Sequence, residues 1–381
     1  MSGTRLLTGS RPPAGSRPPA TDAPQPEPGA ATAPQPPGSR TRFGLVVLAL
    51  AAALLVSVVV SISAGQVRIP PSTVWQVVAD RLTGGALGRA GGPHDLIVWE
   101  VRLPRTLLAV VIGAGLAVVG TILQALVRNP LADPFILGIT SGASVGAVTV
   151  ILLGWSAFGV YSLSASAFLG ALAAFGLVFA MAQRSGRISP LRLLLAGVAV
   201  SYLLMAVTSF LIFRADTDGI KARSVLFWQL GGLGGARWSY LGLPAAAVLA
   251  GTIALAMQAR RLNALVLGDE SATSLGIGVE RLRRQLFVLA SLLTAVMVAV
   301  SGGIGFVGLM VPHVCRMLVG PDHRRVLPVA ALGGAVFLVW ADLVARTVAA
   351  PEELPVGIVT AVAGAPFFLW LIRRRLPLGG T

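Results

Sequence analysis

The sequence predicts an all-α polytopic membrane protein of about ten transmembrane helices. Hydrophobic residues make up 55% of the 381 residues and charged residues only 12%, which is far from the composition of a soluble domain. Mean hydropathy is +0.81. Uncharged runs of membrane-spanning length also recur along the whole chain. The runs cover residues 43–67, 106–127, 134–183, 193–213, 238–259, 285–312, 326–341 and 354–372.

One of these runs is too long for a single span. The 50 residues 134–183 would reach about 75 Å as one helix, more than twice the ~30 Å hydrocarbon core of a bilayer. They are therefore expected to form two spans, with a break near Gly154-Trp155-Ser156. A further, shorter span is expected over residues 306–319. The total is ten.

The first 42 residues differ in composition from the rest. They are rich in Pro, Gly, Ser, Ala and Arg and show no apolar periodicity, which predicts a disordered cytoplasmic tail. A cleaved signal peptide is not expected, because the first apolar run begins only at Phe43 and is long enough to span a membrane. Residues 43–376 are predicted to form one transmembrane domain.

The distribution of charge predicts the orientation. With ten spans and both termini in the cytoplasm, 20 of the 30 lysine and arginine residues fall in cytoplasmic segments, as the positive-inside rule requires. We therefore expect a multi-pass protein of the cytoplasmic membrane with both termini inside. The net charge of +15 follows from this topology, so a nucleic-acid partner is not expected.

Three arginines lie on the opposite side, where the charge rule disfavours them. Arg102, Arg105 and Arg346 each adjoin the outer end of a predicted span. Arginines often extend along any membrane interface, but three on one rim favour an acidic partner. Asp342 lies one helical turn before Arg346, so these two are expected to pair.

Sequence patterns for catalysis are weak. Gly142-Ala-Ser144-Val-Gly146 matches the nucleophile elbow of hydrolases, but that elbow needs a strand-to-helix turn and a histidine partner. Gly138, Gly142 and Gly146 repeat every four residues, which is typical of close helix packing. The sequence has no zincin, Walker-lysine or Cys/His-cluster pattern, so no catalytic residue, metal site or cofactor is predicted.

A polar segment between two later spans predicts a short helix. Asp269 and Glu270 suit the first turn of a helix, and Gly276 suits a left-handed stop. A helix of about eight residues is not stable alone in water. It is expected to pack either on the protein's own cytoplasmic face or on a partner subunit.

A helix face in a further span offers a candidate path for cargo. Ser201, Met205 and Thr208 fall on one side of the run at residues 193–213 and are expected either to line a path or to bond back to their own helix.

Several ordered motifs together resemble the FecCD-type permeases, the membrane subunits of type II ATP-binding-cassette (ABC) importers for ferric siderophores, haem and cobalamin. The similarity runs from about residue 43 to the end of the chain. The motifs are Arg102-Leu-Pro-Arg105, Asn129-Pro-Leu-Ala-Asp-Pro134, Leu193-Leu-Leu-Ala-Gly197, Leu267-Gly-Asp-Glu-Ser-Ala272 with Leu275-Gly276, Gly305-Phe-Val-Gly-Leu309 with Pro312-His313 and Arg316, Asp322-His323-Arg324, Ala341-Asp342 with Ala345-Arg346, Leu354-Pro-Val-Gly357 and Gly364-Ala-Pro-Phe-Phe368.

The resemblance implies the type II ABC importer permease fold and a set of partners. These partners are a second permease subunit, identical or paralogous, two cytoplasmic ATPases, and an extracytoplasmic binding protein whose acidic residues would meet Arg102, Arg105 and Arg346. It also implies a coupling helix within residues 263–280 and a cytoplasmic gate. The coupling residues would be Gly268, Asp269, Glu270, Ala272, Leu275 and Gly276, and the gate residues Asn129, Leu131, Pro190 and Leu191. Pro190 and Leu191 stand where the cobalamin permease has small polar residues.

The sequence as a whole therefore indicates a transport subunit that is not itself an enzyme, with a ferric siderophore as the expected cargo. A cobalamin or haem importer of the same architecture is the alternative. An ion-coupled carrier is a further alternative, but such carriers tend to bury carboxylates near the membrane midplane. The predicted spans contain only Asp342, near a span end. An intramembrane hydrolase is a third alternative, which the lack of a histidine near Ser144 in sequence disfavours.

Overall fold

The computed structural model describes residues 39–65, 67–85, 92–184, 187–188, 190–215 and 219–375. Most of the predicted tail lies outside these residues. The first helix begins at Ser39, four residues before the apolar run, so it includes Arg40 and Arg42. Arginines commonly lie at a membrane interface.

Helices form nearly all of the described chain. In chain order they are α1 (Ser39–Ser63), α2 (Pro71–Leu82), α3 (Pro93–Leu96), α4 (Leu103–Val127), α5 (Ile139–Leu153), α6 (Ser162–Ala182), α7 (Pro190–Ala215), α8 (Ile220–Gln229), α9 (Trp238–Met257), α10 (Ala259–Val266), α11 (Asp269–Ser274), α12 (Val279–Ser301), α13 (Val307–Val319), α14 (His323–Ala345) and α15 (Val356–Arg375). Two short strands, β1 (Gln183–Arg184) and β2 (Arg187–Ile188), pair antiparallel between α6 and α7.

The all-α membrane architecture predicted from the sequence is confirmed. Among the described residues, seven helices are long and apolar enough to cross a membrane, and three shorter apolar helices accompany them. Together they match the ten predicted spans. The long run at residues 134–183 breaks as expected, because α5 ends at Leu153 and Gly154 adopts φ +68°, a left-handed conformation that glycine accepts without strain.

Helix α4 lies at the centre of the bundle. Most of its side chains are buried, and it packs against α9, α12, α13 and α14. Glycines bring the backbones together: a Cβ on Gly113 would lie 2.3 Å from the Gly334 carbonyl oxygen, and one on Gly120 would lie 1.9 Å from that of Gly308. Small residues at helix crossings permit such close approach. Movement of α4 would therefore affect most of its neighbours.

The predicted packing role of the glycine repeat is also confirmed. Gly142 and Gly146 lie on α5 against α6, where a Cβ on Gly142 would be 2.3 Å from the Gly170 oxygen. Ser144 is inside the same helix and buried. The hydrolase-like pattern is therefore part of a helix contact and not a strand-to-helix turn.

Candidate functional site

Arg102 and Arg105 sit where two helix types join. Residues Ile97–Arg102 form a π-helical segment that leads into α4, and the Leu103 N–H bonds to the Val98 oxygen five residues earlier. Pro104 has no N–H, and its ring crowds the preceding turn of a helix. The wider π-helical turn before it leaves more room for this ring. Pi-helical turns of this kind are frequent at functional sites.

Arg105 is held by two carboxylates. Its Nε lies 2.9 Å from Asp342 Oδ1 on α14, and its Nη1 lies 2.8 Å from Glu353 Oε2 in the segment before α15. The Asp342 side chain is 1% exposed and that of Glu353 is 43% exposed. Arg105 therefore connects α4 to α14 through the buried Asp342, and to the segment before α15 through the more accessible Glu353.

Arg102 and Arg346 cap the end of α1. Arg102 Nη1 donates to the Ile62 oxygen at 2.7 Å, and Arg346 Nη2 donates to the Ser61 oxygen at 2.6 Å. The last carbonyls of a helix lack intrahelical partners and carry partial negative charge, which cations satisfy. Arg346 Nε also lies 3.2 Å from Asp342 Oδ2. This confirms the predicted pairing of Asp342 with Arg346.

We call Arg102, Arg105, Asp342, Arg346 and Glu353 the rim cluster. The structure brings the three predicted arginines to one end of the bundle, where they are buried. They were expected to lie at the outer rim beside an acidic partner, and in this chain they are 6%, 7% and 5% exposed. Their guanidinium groups contact α1 carbonyls and two acids. The sequence predicted Asp342 as a partner of Arg346 but not of Arg105, and it did not identify Glu353.

The predicted coupling segment, residues 263–280, lies at the other end of α4. Gly268 adopts φ +127° before α11, and Gly276 adopts φ +75° after it, which confirms the predicted left-handed stop. Asp269 is at the first turn as expected, but its main partners are two arginines. Arg283 Nη2 on α12 lies 2.8 Å from Asp269 Oδ1, and Arg128 Nη2, from the residue after α4, binds the same oxygen.

These arginines also control the ionisation of Asp269. Partial burial raises the pKa of its carboxyl group, but the hydrogen bonds and charges of Arg283 and Arg128 outweigh this and hold the pKa below the usual aspartate value. Asp269 is therefore charged at neutral pH. Sequence reasoning did not identify Arg128 and Arg283 as its partners, since they lie 141 and 14 positions away.

Helix α11 has one buried and one open side. Ala272 is 0% exposed against the chain's own helices, whereas Leu267 and Leu275 are 74% and 67% exposed. Glu270 and Gly276 are exposed as well. The segment therefore packs against the rest of this chain through Ala272, whereas Leu267 and Leu275, on either side of α11, remain accessible.

The predicted gate residues lie next to the same end of α4. Asn129 Oδ1 accepts the Leu131 N–H at 2.9 Å, which shapes the turn. Leu131 and Leu191 are 48% and 66% exposed. Pro190 begins α7, and its side chain lies outside the described residues. A cavity of about 20 Å³ separates the turn from α7, with Asp133 and Leu193 among its lining residues.

The three candidate path residues on α7 differ in exposure. Met205 is 54% exposed and Ser201 is half-buried. Thr208 is 4% exposed, and its hydroxyl donates to the Leu204 oxygen at 2.9 Å. The Thr208 hydroxyl therefore bonds back to its own helix, and the side chain is not open to solvent in this chain. In the described parts of the chain, no three His, Cys, Asp or Glu side chains come close enough together to hold a metal ion.

Comparison with known proteins decides the family. The model of the FecCD transport family matches residues 53–374. The chain belongs to the FecCD transport family. The two ends of α4 described above are thus the two ends of a FecCD permease, the membrane subunit of an ABC importer.

Relatives of known name support the assignment. This FecCD permease is 48% identical over 281 residues to a cobalamin import system permease protein, BtuC, of Halobacterium salinarum, an alignment that covers 74% of each chain. It is 46% identical over 282 residues to a hemin transport system permease protein, HmuU, of Yersinia pestis, covering 73% of this chain and 84% of the relative.

A solved structure shares the fold. This structure, described as an inward-facing conformation of an ABC transporter assigned to the metal-chelate type, superposes with a TM-score of 0.75 at 34% identity. The match covers 87% of this chain and 99% of the other. FecCD permeases work with a second permease, separate ATPase subunits and a substrate-binding protein, and ATP is hydrolysed on the ATPase subunits.

Proposed function

We propose that this FecCD permease carries a ferric siderophore across the cytoplasmic membrane by alternating access. The observation behind this proposal is the likeness to the metal-chelate type transporter, which covers 99% of that chain and supports a metal chelate as the cargo. Leu191 is exposed and apolar at the predicted gate, where the cobalamin permease has a small polar residue.

A second cargo class has support of its own. The relatives named for cobalamin and for hemin are 48% and 46% identical to this chain, so an importer of cobalamin or haem fits these relatives equally well. All three cargoes are large metal chelates. The same alternating path would serve each of them, and only side chains that contact the cargo would differ.

The proposed direction of transport assigns a role to each end of α4. The rim cluster would face the outside and receive the binding protein, and α11 would face the cytoplasm and receive an ATPase. Asn129, Leu131, Pro190 and Leu191 would close the cytoplasmic gate, with Ser201 and Met205 on the path above it. Both termini would then be cytoplasmic, and the tail before Ser39 would be dispensable for transport because its composition cannot build a core.

The ion-coupled alternative receives little support from the described spans. Asp342 is the carboxylate that the sequence places in a span, and the structure binds it to Arg105 and Arg346. Both oxygens of Asp342 lie against arginine nitrogens of the same chain, an arrangement that suits a structural ion pair between helices and not an ion-binding site open to a path.

Reconstitution tests the cargo. The permease is placed in proteoliposomes with its cognate ATPase and binding protein, and uptake of a radiolabelled ferric siderophore, cobalamin and haem is measured with ATP, without ATP, and with an ion gradient alone. We expect ATP-dependent uptake of the ferric siderophore. Uptake of cobalamin or haem alone would move the assignment to the second cargo class, and uptake driven by the gradient alone would contradict ABC import.

A further inference from the structure

Arg128 connects the coupling helix to the predicted gate. It is the residue directly after α4, and its Nη2 donates to the Leu265 oxygen at 2.9 Å and to the Asp269 carboxylate. Leu265 belongs to α10 and Asp269 to α11. One side chain from the central helix therefore holds both short helices of the coupling segment.

Asp269 is shared between a local and a distant arginine. Arg283 Nη2 lies 2.8 Å from Asp269 Oδ1, and the Arg283 side chain is 8% exposed. Because α12 follows α11 directly in the chain, this contact fixes α11 only to its own continuation. The Arg128 contact is different, since it crosses from α11 to α4. Removal of Arg128 would break the link to α4 and leave the local link in place.

The turn that follows Arg128 is a compact unit. Asn129 N–H donates to the Gln124 oxygen at 3.1 Å, and Ala132 N–H donates to the Asn129 oxygen at 3.0 Å. Leu131 N–H donates to the Asn129 side chain. Arg128 itself adopts φ +52°, an uncommon conformation for a residue with a side chain. A displacement of Arg128 would therefore move Asn129–Ala132 together.

The chain that directly follows this turn packs against α7, through residues Pro134–Leu137. Asp133, the first residue after the turn, lines the small cavity that it shares with Leu193 and Leu194 of α7. A series of contacts thus runs from α11 through Arg128 to the turn, and the residues directly after the turn lie against α7. All of these groups lie at one end of the bundle.

We propose that Arg128 is a positioning residue that transmits displacement of α11 to the gate turn, through its contacts with Asp269 and Leu265. The proposal rests on the assigned roles of α11 and of the gate. An exposed ion pair contributes little to stability, and the Arg128 and Asp269 side chains are 42% and 46% exposed. Loss of the pair should therefore leave the fold intact and change only the coupling between the two sites.

The test measures gate motion directly, so its result does not depend on the cargo. Leu131→Cys is introduced into the full complex with the ATPase, and its rate of labelling by a water-soluble maleimide is measured with and without a non-hydrolysable ATP analogue. Cys315 is buried and is replaced by Ser as background. We expect the analogue to change the rate by about fivefold or more, the lower range of coupling between sites. In Arg128→Met that change should fall below about twofold.

Three further variants complete the design. Arg284→Met removes an equal charge from an exposed residue of α12 and should keep the full change. Arg128→Lys should retain part of it, because an ammonium group can still reach Asp269 but lacks the planar fork. Asp269→Asn combined with Arg128→Met should reduce the nucleotide-dependent change no further than Arg128→Met alone, since Arg128→Met already removes the link from α11 to α4 and the Arg283 contact of Asp269 stays within α11 and α12.

Each outcome decides the proposal. A full nucleotide-dependent change in Arg128→Met overturns it, and so does loss of the ATPase from the purified Arg128→Met complex, which would show a structural role. If the parental complex takes up cargo with ATP but Leu131→Cys labelling never responds to nucleotide, the gate assignment and this inference both fail. If labelling responds but none of the three cargoes is taken up, only the cargo assignment fails.

Discussion

Arg105 Nε lies 2.9 Å from Asp342 Oδ1 and joins α4 to α14 across 237 positions of sequence. Asp342 is 0% exposed and also faces Arg346 at 3.2 Å. Removing one partner from a buried ion pair leaves the other charge without compensation, which is far more costly than losing an exposed pair. The rim cluster therefore holds α1, α4 and α14 together at this end of the bundle.

Asp342→Asn should destabilise the permease. We expect a loss of roughly 3–5 kcal/mol, because Arg105 and Arg346 would remain buried with less negative charge. Thermal unfolding of the purified protein in detergent measures this. Glu352→Gln is the matched control, since Glu352 is 78% exposed and 3.7 Å from Arg223, and it should change stability by about 0.5 kcal/mol or less. Equal melting of Asp342→Asn and the control would contradict a structural role for the rim cluster.

Docking through Arg105 makes a different prediction. Glu353 occupies Arg105 Nη1, so an incoming acidic residue of the binding protein must compete with it. Glu353→Gln should free this donor and tighten docking by about twofold to fivefold, the range of an exposed pair. Affinity is measured in nanodiscs at low salt and again at high salt, where screening should reduce the gain.

Glu352→Gln also serves as the control for docking, because it distinguishes release of Arg105 from a general change in the charge of the rim. Glu352→Gln removes the same charge from the adjacent residue, so a purely electrostatic effect on the rim would tighten docking equally. Equal affinities for the two variants would show that Arg105 does not receive the partner, and its role would then be confined to joining α4 with α14.

The open side of α11 predicts a contact with the ATPase. Leu267 and Leu275 are mostly exposed, and exposed apolar groups beside a polar rim mark interaction sites. Leu267→Glu with Leu275→Glu should reduce copurification of the ATPase and uptake, while the permease keeps its melting temperature. Ala272→Leu should lower the melting temperature instead, because Ala272 is fully buried and overpacking costs ~1–3 kcal/mol. Normal copurification of the double glutamate variant would place the ATPase contact elsewhere.

The contact between α5 and α6 depends on the absence of side chains. A Cβ on Gly142 would lie 2.3 Å from a backbone oxygen of Gly170, whereas one on Gly176 of α6 meets nothing within 4 Å. Gly142→Ala should therefore lower the melting temperature, and Gly176→Ala should leave it unchanged or raise it slightly, since alanine favours a helix by up to ~1 kcal/mol. A similar effect of both changes would refute the packing argument.

Much of the architecture could be predicted from local sequence. The run at residues 134–183 was too long for one span, and the break falls at Gly154, next to the predicted position. Gly276 ends α11 in the left-handed conformation that its position suggested. These features depend on residues close together in the chain, so one sequence is sufficient to predict them.

The candidate sites were less predictable. Counting spans placed Arg102, Arg105 and Arg346 at one end of the bundle, but it did not show that Ile62 and Ser61 carbonyls accept from Arg102 and Arg346. Spacing also left two alternatives for Thr208, whose hydroxyl bonds back to its own helix in the structure. Whether a hydroxyl on an apolar helix faces a path or its own backbone depends on the neighbouring helices, and the spacing of residues along α7 does not reveal them.

The sequence by itself determined that this chain crosses a membrane about ten times, because in hydrocarbon each span must satisfy its backbone hydrogen bonds within its own helix. The number and limits of spans are thus local properties. Only the tertiary structure decided which charges meet. Arg105 finds Asp342, and Arg128 finds Asp269, through the crossing of helices that are far apart in sequence, and those crossings depend on the small residues that let α4 approach its neighbours.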